Sequence, residues 1–386
     1  MTSRPLASLR SIAAIASLPA LATLCSALSA CGEAPSAEPA PLTQFALSAV
    51  TENAGAPTRE LAREVDDLFT KEGLGETRAV LVMVDGKIAA ERYGDGYNED
   101  TRFISWSMAK TVTAVLVGML VADGRLSLDE PAPVAMWQRP GDPRSEITLR
   151  HLLQMRSGLD HTEAGDPPYD SSEVRMLFLD GRDDMARWAK EQPLEAEPGE
   201  RFEYSSNTTV ILADIVARAL TPSEDAETRR KAVSEFLQAR LLGPLGMTSM
   251  VPEFDASGTL IGGSLMHASA RDYAKFGEFM RADGRDPTGV QLVPSGWIEQ
   301  MTQPSPASAH YGFQTWLNRP EPRLEYPHPL FPKRAPHSLF ALIGHMGQYV
   351  LVSPEQKVTM VRLGHSTSAE RPPMLQEAAD VIALYP

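Results

Sequence analysis

Phe103-Ile104-Ser105-Trp106-Ser107-Met108-Ala109-Lys110-Thr111 opens a long apolar-periodic stretch of this chain. Two helical positions three residues apart share one face. Ser107 and Lys110 therefore hold a hydroxyl against an amine, the minimum equipment for a serine nucleophile with a built-in base. No other lysine of the chain has a serine three places before it. Taken alone, the pair also describes a solvated Ser and Lys near a helix start, so the neighbours decide. Val112, Val115, Leu116, Met119 and Leu120 form one apolar stripe, and Asp123-Gly124 ends it. The spacing predicts a helix over 107–122 whose stripe is core.

Ahead of that helix, 79–84 and 87–92 read as strands joined by Asp85-Gly86, the strongest short hairpin signal. The folded part is expected to begin at Thr58, a good N-cap, with Leu61, Val65, Leu68 and Phe69 at helical spacing. From 125 to about 300 the chain reads as mainly helical, with helices near 148–155, 183–191, 208–219, 232–242 and 270–282. Segments 311–317, 338–343, 348–353 and 358–363 then read as strands, and 373–384 as a closing helix. Strand signals at both ends with helices between imply an α+β fold. One antiparallel sheet of N- and C-terminal strands is flanked by helices and carries a mainly helical inserted region. The Ser107 helix immediately precedes the insertion, so a cleft between sheet and helical region would hold the site.

A chain of 386 residues can bury a full core, and 43% hydrophobic with 22% charged residues is ordinary for a globular protein. The net charge of −14, with no basic patch, argues against nucleic acid as a partner. Arg4 and Arg10 precede an apolar, alanine-rich run over 12–28, as in a secretory signal. Leu28-Ser29-Ala30-Cys31-Gly32 then resembles the lipobox of bacterial lipoproteins, with cleavage before Cys31 and lipid on its thiol. A plain signal peptide and an uncleaved anchor are the alternatives; Pro19 and the short run disfavour the anchor. The lipoprotein reading divides the chain into a signal peptide at 1–30, a lipidated Cys31 with a flexible tether at 31–57, and one folded domain at 58–386. It implies a cell-envelope protein anchored to a membrane through Cys31, and Gly32 rather than Asp implies the outer membrane, facing the periplasm. With Cys25 lost in the signal, no thiol remains for a disulfide, a metal or a nucleophile.

Further motifs follow in order: Pro198-Gly199-Glu200-Arg201-Phe202-Glu203-Tyr204-Ser205-Ser206-Asn207, and Gly344-His345-Met346-Gly347-Gln348 opening a strand. Residues 147–159 lie between the first two, and Gly262-Gly263 and 269–277 come later. Together these segments resemble the serine hydrolases with a β-lactamase/transpeptidase-like fold. The likeness is to the branch holding class C β-lactamases, family VIII esterases and 6-aminohexanoate-dimer hydrolases, and it runs from about residue 59 to the C-terminus.

The resemblance implies an acyl-enzyme mechanism on an ester or small amide. Ser107 would attack, Lys110 and Tyr204 would move protons, and the backbone N–H groups of Ser107 and Gln348 would form the oxyanion hole. Ser206, His345, Gly347 and Tyr169 would contact substrate. Burial and the helix N-terminus are expected to favour a neutral Lys110. Tyr204, a phenol of pKa about 10, needs nearby cations to act as a base, and Lys110 and His345 are candidates.

Two departures matter. The class C pattern Tyr-x-Asn appears here as Tyr204-Ser205-Ser206, with Asn207 one place late; Ser206 is the preferred stand-in, although Ser205-Ser206-Asn207 also fits the Ser-x-Asn of penicillin-binding proteins. Lys-Thr-Gly is absent, and His345-Met346-Gly347 fills its place, which weakens carboxylate recognition of a β-lactam. The segment 318–337, with its prolines, Tyr326 and Phe331, is either a rigid lip on the pocket or a surface loop. No metal or cofactor is implied. The alternatives are a β-lactamase or D-alanyl-D-alanine carboxypeptidase, and a non-catalytic surface or sensor lipoprotein.

Overall fold

Asp85 and Gly86 take φ values of 49° and 77°, the paired left-handed conformation of a two-residue hairpin turn. They fold β1 (Glu76–Val84) back onto β2 (Lys87–Tyr93). In the computed structural model, which describes residues 41–320 and 329–386, this hairpin is one edge of a six-stranded antiparallel sheet. Two-residue β3 (Phe103–Ile104) and β4 (Val251–Pro252) and three-residue β5 (Met266–Ala268) form a separate small sheet. The large sheet is completed by β6 (Trp316–Leu317), β7 (Phe340–Gly344), β8 (Gln348–Ser353) and β9 (Val358–His365), in the order β2-β1-β9-β8-β7-β6.

Period-2 alternation divides the strands between two cores. Ala79, Leu81, Leu342, Val350, Val352, Val361 and Leu363 face the helical region. Val80, Val82, Ala341, Leu351, Val358 and Met360 face the helices Thr58–Thr70 and Arg371–Ala383 on the other side. Both faces are covered, so these strands are buried nearly throughout. The helix Ala109–Ala122 is buried from Ala109 to Leu120, so the expected stripe is core on all sides rather than on one. It packs against the helix Ser206–Leu220.

Three expectations need correction. The folded chain starts before Thr58: Gln44–Ser48 is a helix with Ala46 buried, and Val50 bridges to Ala90 beside β2. That helix is too short to leave a periodic signal, so 41–57 read as tether. The signal at 1–30, Cys31 and the tether to residue 40 lie outside the described residues, as do 321–328 of the proline-rich segment, Tyr326 included. Second, 311–317 is not one strand; only Trp316–Leu317 pairs with β7. Gln314 takes a φ of 51° and turns inward, its backbone N–H donating to Leu153 O and its side chain accepting from Thr209 Oγ1. Third, the small sheet and the helix Ser172–Phe178 had no legible signal.

Asp214 anchors the insertion. It is buried, and Lys190 Nζ (2.8 Å), Arg218 Nε (2.9 Å) and Arg229 all donate to it. Asp214→Ala would leave the buried Lys190 without its counter-ion and Arg229 with only Glu224, at 4.0 Å, as one. A loss of about 3–5 kcal/mol in urea denaturation is expected.

Candidate active site

Ser107 lies in a single 3₁₀ turn, Trp106–Met108, that runs into the helix Ala109–Ala122. Trp106 takes a φ of 44°, a strained conformation for a bulky residue and one that marks functional turns. The small sheet holds this turn: Ser105 N–H donates to Met266 O at 2.7 Å. On its other flank Gly344 meets it, and a Cβ there would come 2.4 Å from Ser105 O. Only glycine allows β7 to approach the nucleophile this closely.

Lys110 Nζ is 1% exposed and donates to Ser107 Oγ (2.8 Å), Ser206 Oγ (2.7 Å) and Gly263 O (2.8 Å). The Tyr204 ring centroid is 4.8 Å from it, and the Tyr204 hydroxyl is in hydrogen-bonding reach of Ser107 and Lys110. Trp316 and Tyr311 wedge the Tyr204 ring in place. Ser206, not Asn207, faces Lys110; Asn207 turns away and donates to Ser172 O.

Two carboxylates at the site had no signal in the sequence. Glu163 Oε2 accepts the Ser206 backbone N–H (2.6 Å), and Oε1 accepts Ser206 Oγ–H (2.7 Å) and lies 3.6 Å from Lys110 Nζ. Glu173 Oε1 is 3.2 Å from Ser206 Oγ. Burial, then the Glu163 charge, pushes Glu173 up to about 7, against the opposing pull of Lys110.

The charge state of Lys110 differs from expectation. Burial is the largest influence and pulls its pKa down, but Tyr204, Glu163 and Glu173 together carry it above the ordinary lysine value. These neighbours favour its ammonium form. Tyr204 also moves against expectation: burial raises its pKa more than Lys110 lowers it.

A cavity of about 480 Å³ opens over these groups, lined among others by Trp106, Ser107, Tyr204, Trp316 and His345, with Glu163, Glu173 and Arg371 at its walls. His345 rests edge-on against Trp106 at 5.5 Å, and burial followed by the Arg371 charge lowers its pKa, so it is neutral. Arg371, a lining cation, stands at the first residue of the C-terminal helix, far from any motif. Tyr169 is 61% exposed and does not line the cavity; the 3₁₀ turn Pro168–Asp170 sends Pro168 inward instead.

Neither Gln348 nor Gly347 lines the cavity. Asn318 N–H donates to Leu339 O, so along β7 residues 339 and 341, and by alternation 343 and 345, turn their backbone groups toward the β6 side. Gly344 then faces β8 and pairs with Gln348 across the hairpin, which directs the Gln348 N–H away from Ser107. His345, the residue after Gly344, lines the cavity. Gly347, with a φ of 86°, makes the turn, and its carbonyl accepts from the buried Arg362 (2.8 Å).

Comparison with known proteins finds relatives of this chain. Residues 70–384 match the family model described as Beta-lactamase. The chain is 27% identical over 256 residues to the 6-aminohexanoate-dimer hydrolase of Paenarthrobacter ureafaciens, covering 62% of this chain and 61% of that one. It is 35% identical over 144 residues to Esterase EstB of Burkholderia gladioli, covering 34% and 36%. The chain thus spans about three fifths or less of the length of these relatives. Among solved structures, a proposed 6-aminohexanoate-dimer hydrolase from Bacillus anthracis superimposes with a TM-score of 0.63 at 22% identity, over 88% of this chain and 86% of that one.

Proposed function

This chain belongs to the Beta-lactamase family, and from that premise we propose that it is a serine hydrolase that forms an acyl-enzyme on an ester or small amide. The observation that carries this reading is the contact of Lys110 Nζ with Ser107 Oγ at 2.8 Å, beneath a cavity walled by Tyr204 and His345. Ser107 attacks the scissile carbonyl. The backbone N–H groups of Ser107 and His345 receive the oxyanion, each donor contributing roughly 10²–10³ in rate. Tyr204 delivers a proton to the leaving group, and water completes turnover. Hydrolase relatives that act on a small amide dimer and on esters support this substrate range. The lipobox-like residues 28–32 support a cell-envelope location with a lipid anchor at Cys31.

A second reading, a β-lactamase or D-alanyl-D-alanine carboxypeptidase, is favoured by one feature. Arg371 supplies the cavity with a cation that the missing Lys-Thr-Gly does not. Steady-state kinetics on p-nitrophenyl esters, short anilides and nitrocefin separates the two. The expected result is a kcat/KM for p-nitrophenyl butyrate at least 10²-fold above that for nitrocefin. Equal or inverted values would favour the second reading.

A further inference from the structure

An ammonium has three hydrogens, and those of Lys110 are all placed, on Ser107 Oγ, Ser206 Oγ and Gly263 O. A group so saturated takes the Ser107 proton only if it hands one of its own onward. Ser107 is the source of the proton, Gly263 O is a backbone carbonyl, and Tyr204, also within reach of Lys110, holds its own proton for the leaving group. Ser206 does offer an exit. Lys110 donates to its Oγ, so the Ser206 hydroxyl hydrogen points elsewhere, and Glu163 Oε1 accepts it at 2.7 Å. Glu163 is fixed for this contact by its second oxygen, which accepts the Ser206 backbone N–H.

Resting on the hydrolase reading above, we infer that Glu163 is a positioning residue that acts through Ser206 and Lys110 as the terminal holder of the Ser107 proton. In acylation the Ser107 Oγ–carbon bond forms as the carbonyl π pair moves onto its oxygen. A Lys110 hydrogen first passes to Ser206 Oγ as the Ser206 hydroxyl hydrogen passes to Glu163 Oε1, and Nζ then turns its freed lone pair to Ser107 and takes the Ser107 proton. Lys110 begins and ends acylation as an ammonium and is an amine between, and the negative charge moves from Glu163 to the oxyanion. When the intermediate collapses, the scissile bond breaks and Tyr204 gives its proton to the leaving group. Tyr204 is reprotonated from Lys110, which draws the stored proton back from Glu163 through Ser206.

Glu173 fits the same count of hydrogens. Ser206 has one hydroxyl hydrogen and two carboxyl oxygens within 3.2 Å, so Glu173 brings its own proton to the contact. Its raised pKa agrees. The charged and titratable groups that bear on Glu163 are Lys110, Glu173, Tyr204, Glu203, Tyr311 and His345, with Arg371 on the same cavity.

The test is the pH profile of kcat/KM for p-nitrophenyl butyrate with the full chain. Glu163→Gln keeps an acceptor for the Ser206 N–H but holds no proton. It is expected to lower kcat/KM about 10²–10³-fold and to lose the acidic limb of the profile, with an unchanged melting temperature. Glu163→Asp is expected to restore the limb in part. Ser206→Ala cuts the path at its middle, so it should match Glu163→Gln, and the double variant should lose no more than either alone. A Glu163→Gln variant within threefold of wild type with the limb intact overturns the inference, as do losses that multiply in the double variant. If Glu163→Gln does not fold, Ser206→Ala carries the test, and retention of the limb there overturns the path. A wild-type chain that neither hydrolyses the ester nor labels at Ser107 with a fluorophosphonate overturns the hydrolase reading as well. Labelling with an unaffected Glu163→Gln variant overturns the path alone.

Discussion

Ser107→Ala is expected to reduce ester turnover on the order of 10⁴–10⁶-fold, to the background left by the oxyanion donors and substrate binding. The size of the effect follows from the place of Ser107 in the site. It is the one hydroxyl of the strained turn that touches Lys110, Tyr204 and the cavity together. The other serine at Lys110, Ser206, is fully buried and does not line the cavity. The variant should fold, because the strained backbone belongs to Trp106, and Lys110 keeps Ser206 Oγ and Gly263 O as acceptors. Two measurements check it: kcat/KM on p-nitrophenyl butyrate, and intact mass after a fluorophosphonate probe. Wild type should gain one adduct and the variant none. A variant that keeps a tenth of the activity, or labels equally, would move the nucleophile elsewhere or leave the fold without catalysis.

The parts of this site that were legible in the sequence are those fixed by short-range chemistry. Asp85-Gly86 has only one economical use, and Ser107 and Lys110 meet because of helical spacing. The motif order around Tyr204 carried the family and the sheet-plus-insertion fold. The parts that were not legible depend on contacts between distant segments. Glu163 and Glu173 sit in a stretch with no periodicity, and what makes them part of the site is Ser206, which lies 43 and 33 residues away along the chain. The charge of Lys110 reverses for the same reason: burial and the helix start argue for an amine, and carboxyl groups from elsewhere decide for an ammonium. Gln348 pairs with Gly344 instead of lining the cavity, and His345 is proposed as donor in its place, because strand alternation is set by pairing with β6, which the sequence reading extended too far. Tyr169 resembled a loop residue over the substrate, and the turn that points it outward is a matter of backbone geometry alone.

Lys110→Met joins catalysis to stability, and its second effect has a sign that can be worked out. Methionine fills most of the space of the lysine stem without its charge. Activity should fall roughly 10³-fold or more, since the proton of Ser107 then has no adjacent acceptor. Removal of one partner from a buried ionic cluster also leaves Glu163 and Glu173 uncompensated, at a cost of about 3 kcal/mol near neutral pH. In wild type the raised pKa of Lys110 means that its contribution to stability is complete below the unfolded lysine value of about 10.4 and is lost as pH rises through the folded value. That alkaline loss disappears in the variant. Glu173 is shifted in the same direction, so its contribution has the same sign but acts at lower pH. Glu173 already binds its proton more tightly in the fold than in the unfolded chain, and without Lys110 it does so more strongly. A native group that holds more protons than its unfolded counterpart makes stability fall as pH rises, beginning near the unfolded value of about 4.3 and ending above the folded one. Urea denaturation should therefore show Lys110→Met closer to wild type at pH 5 than at pH 8. A difference that stays constant across this range would mean that Lys110 does not compensate the two carboxyl groups, and the ammonium assignment would fall with it.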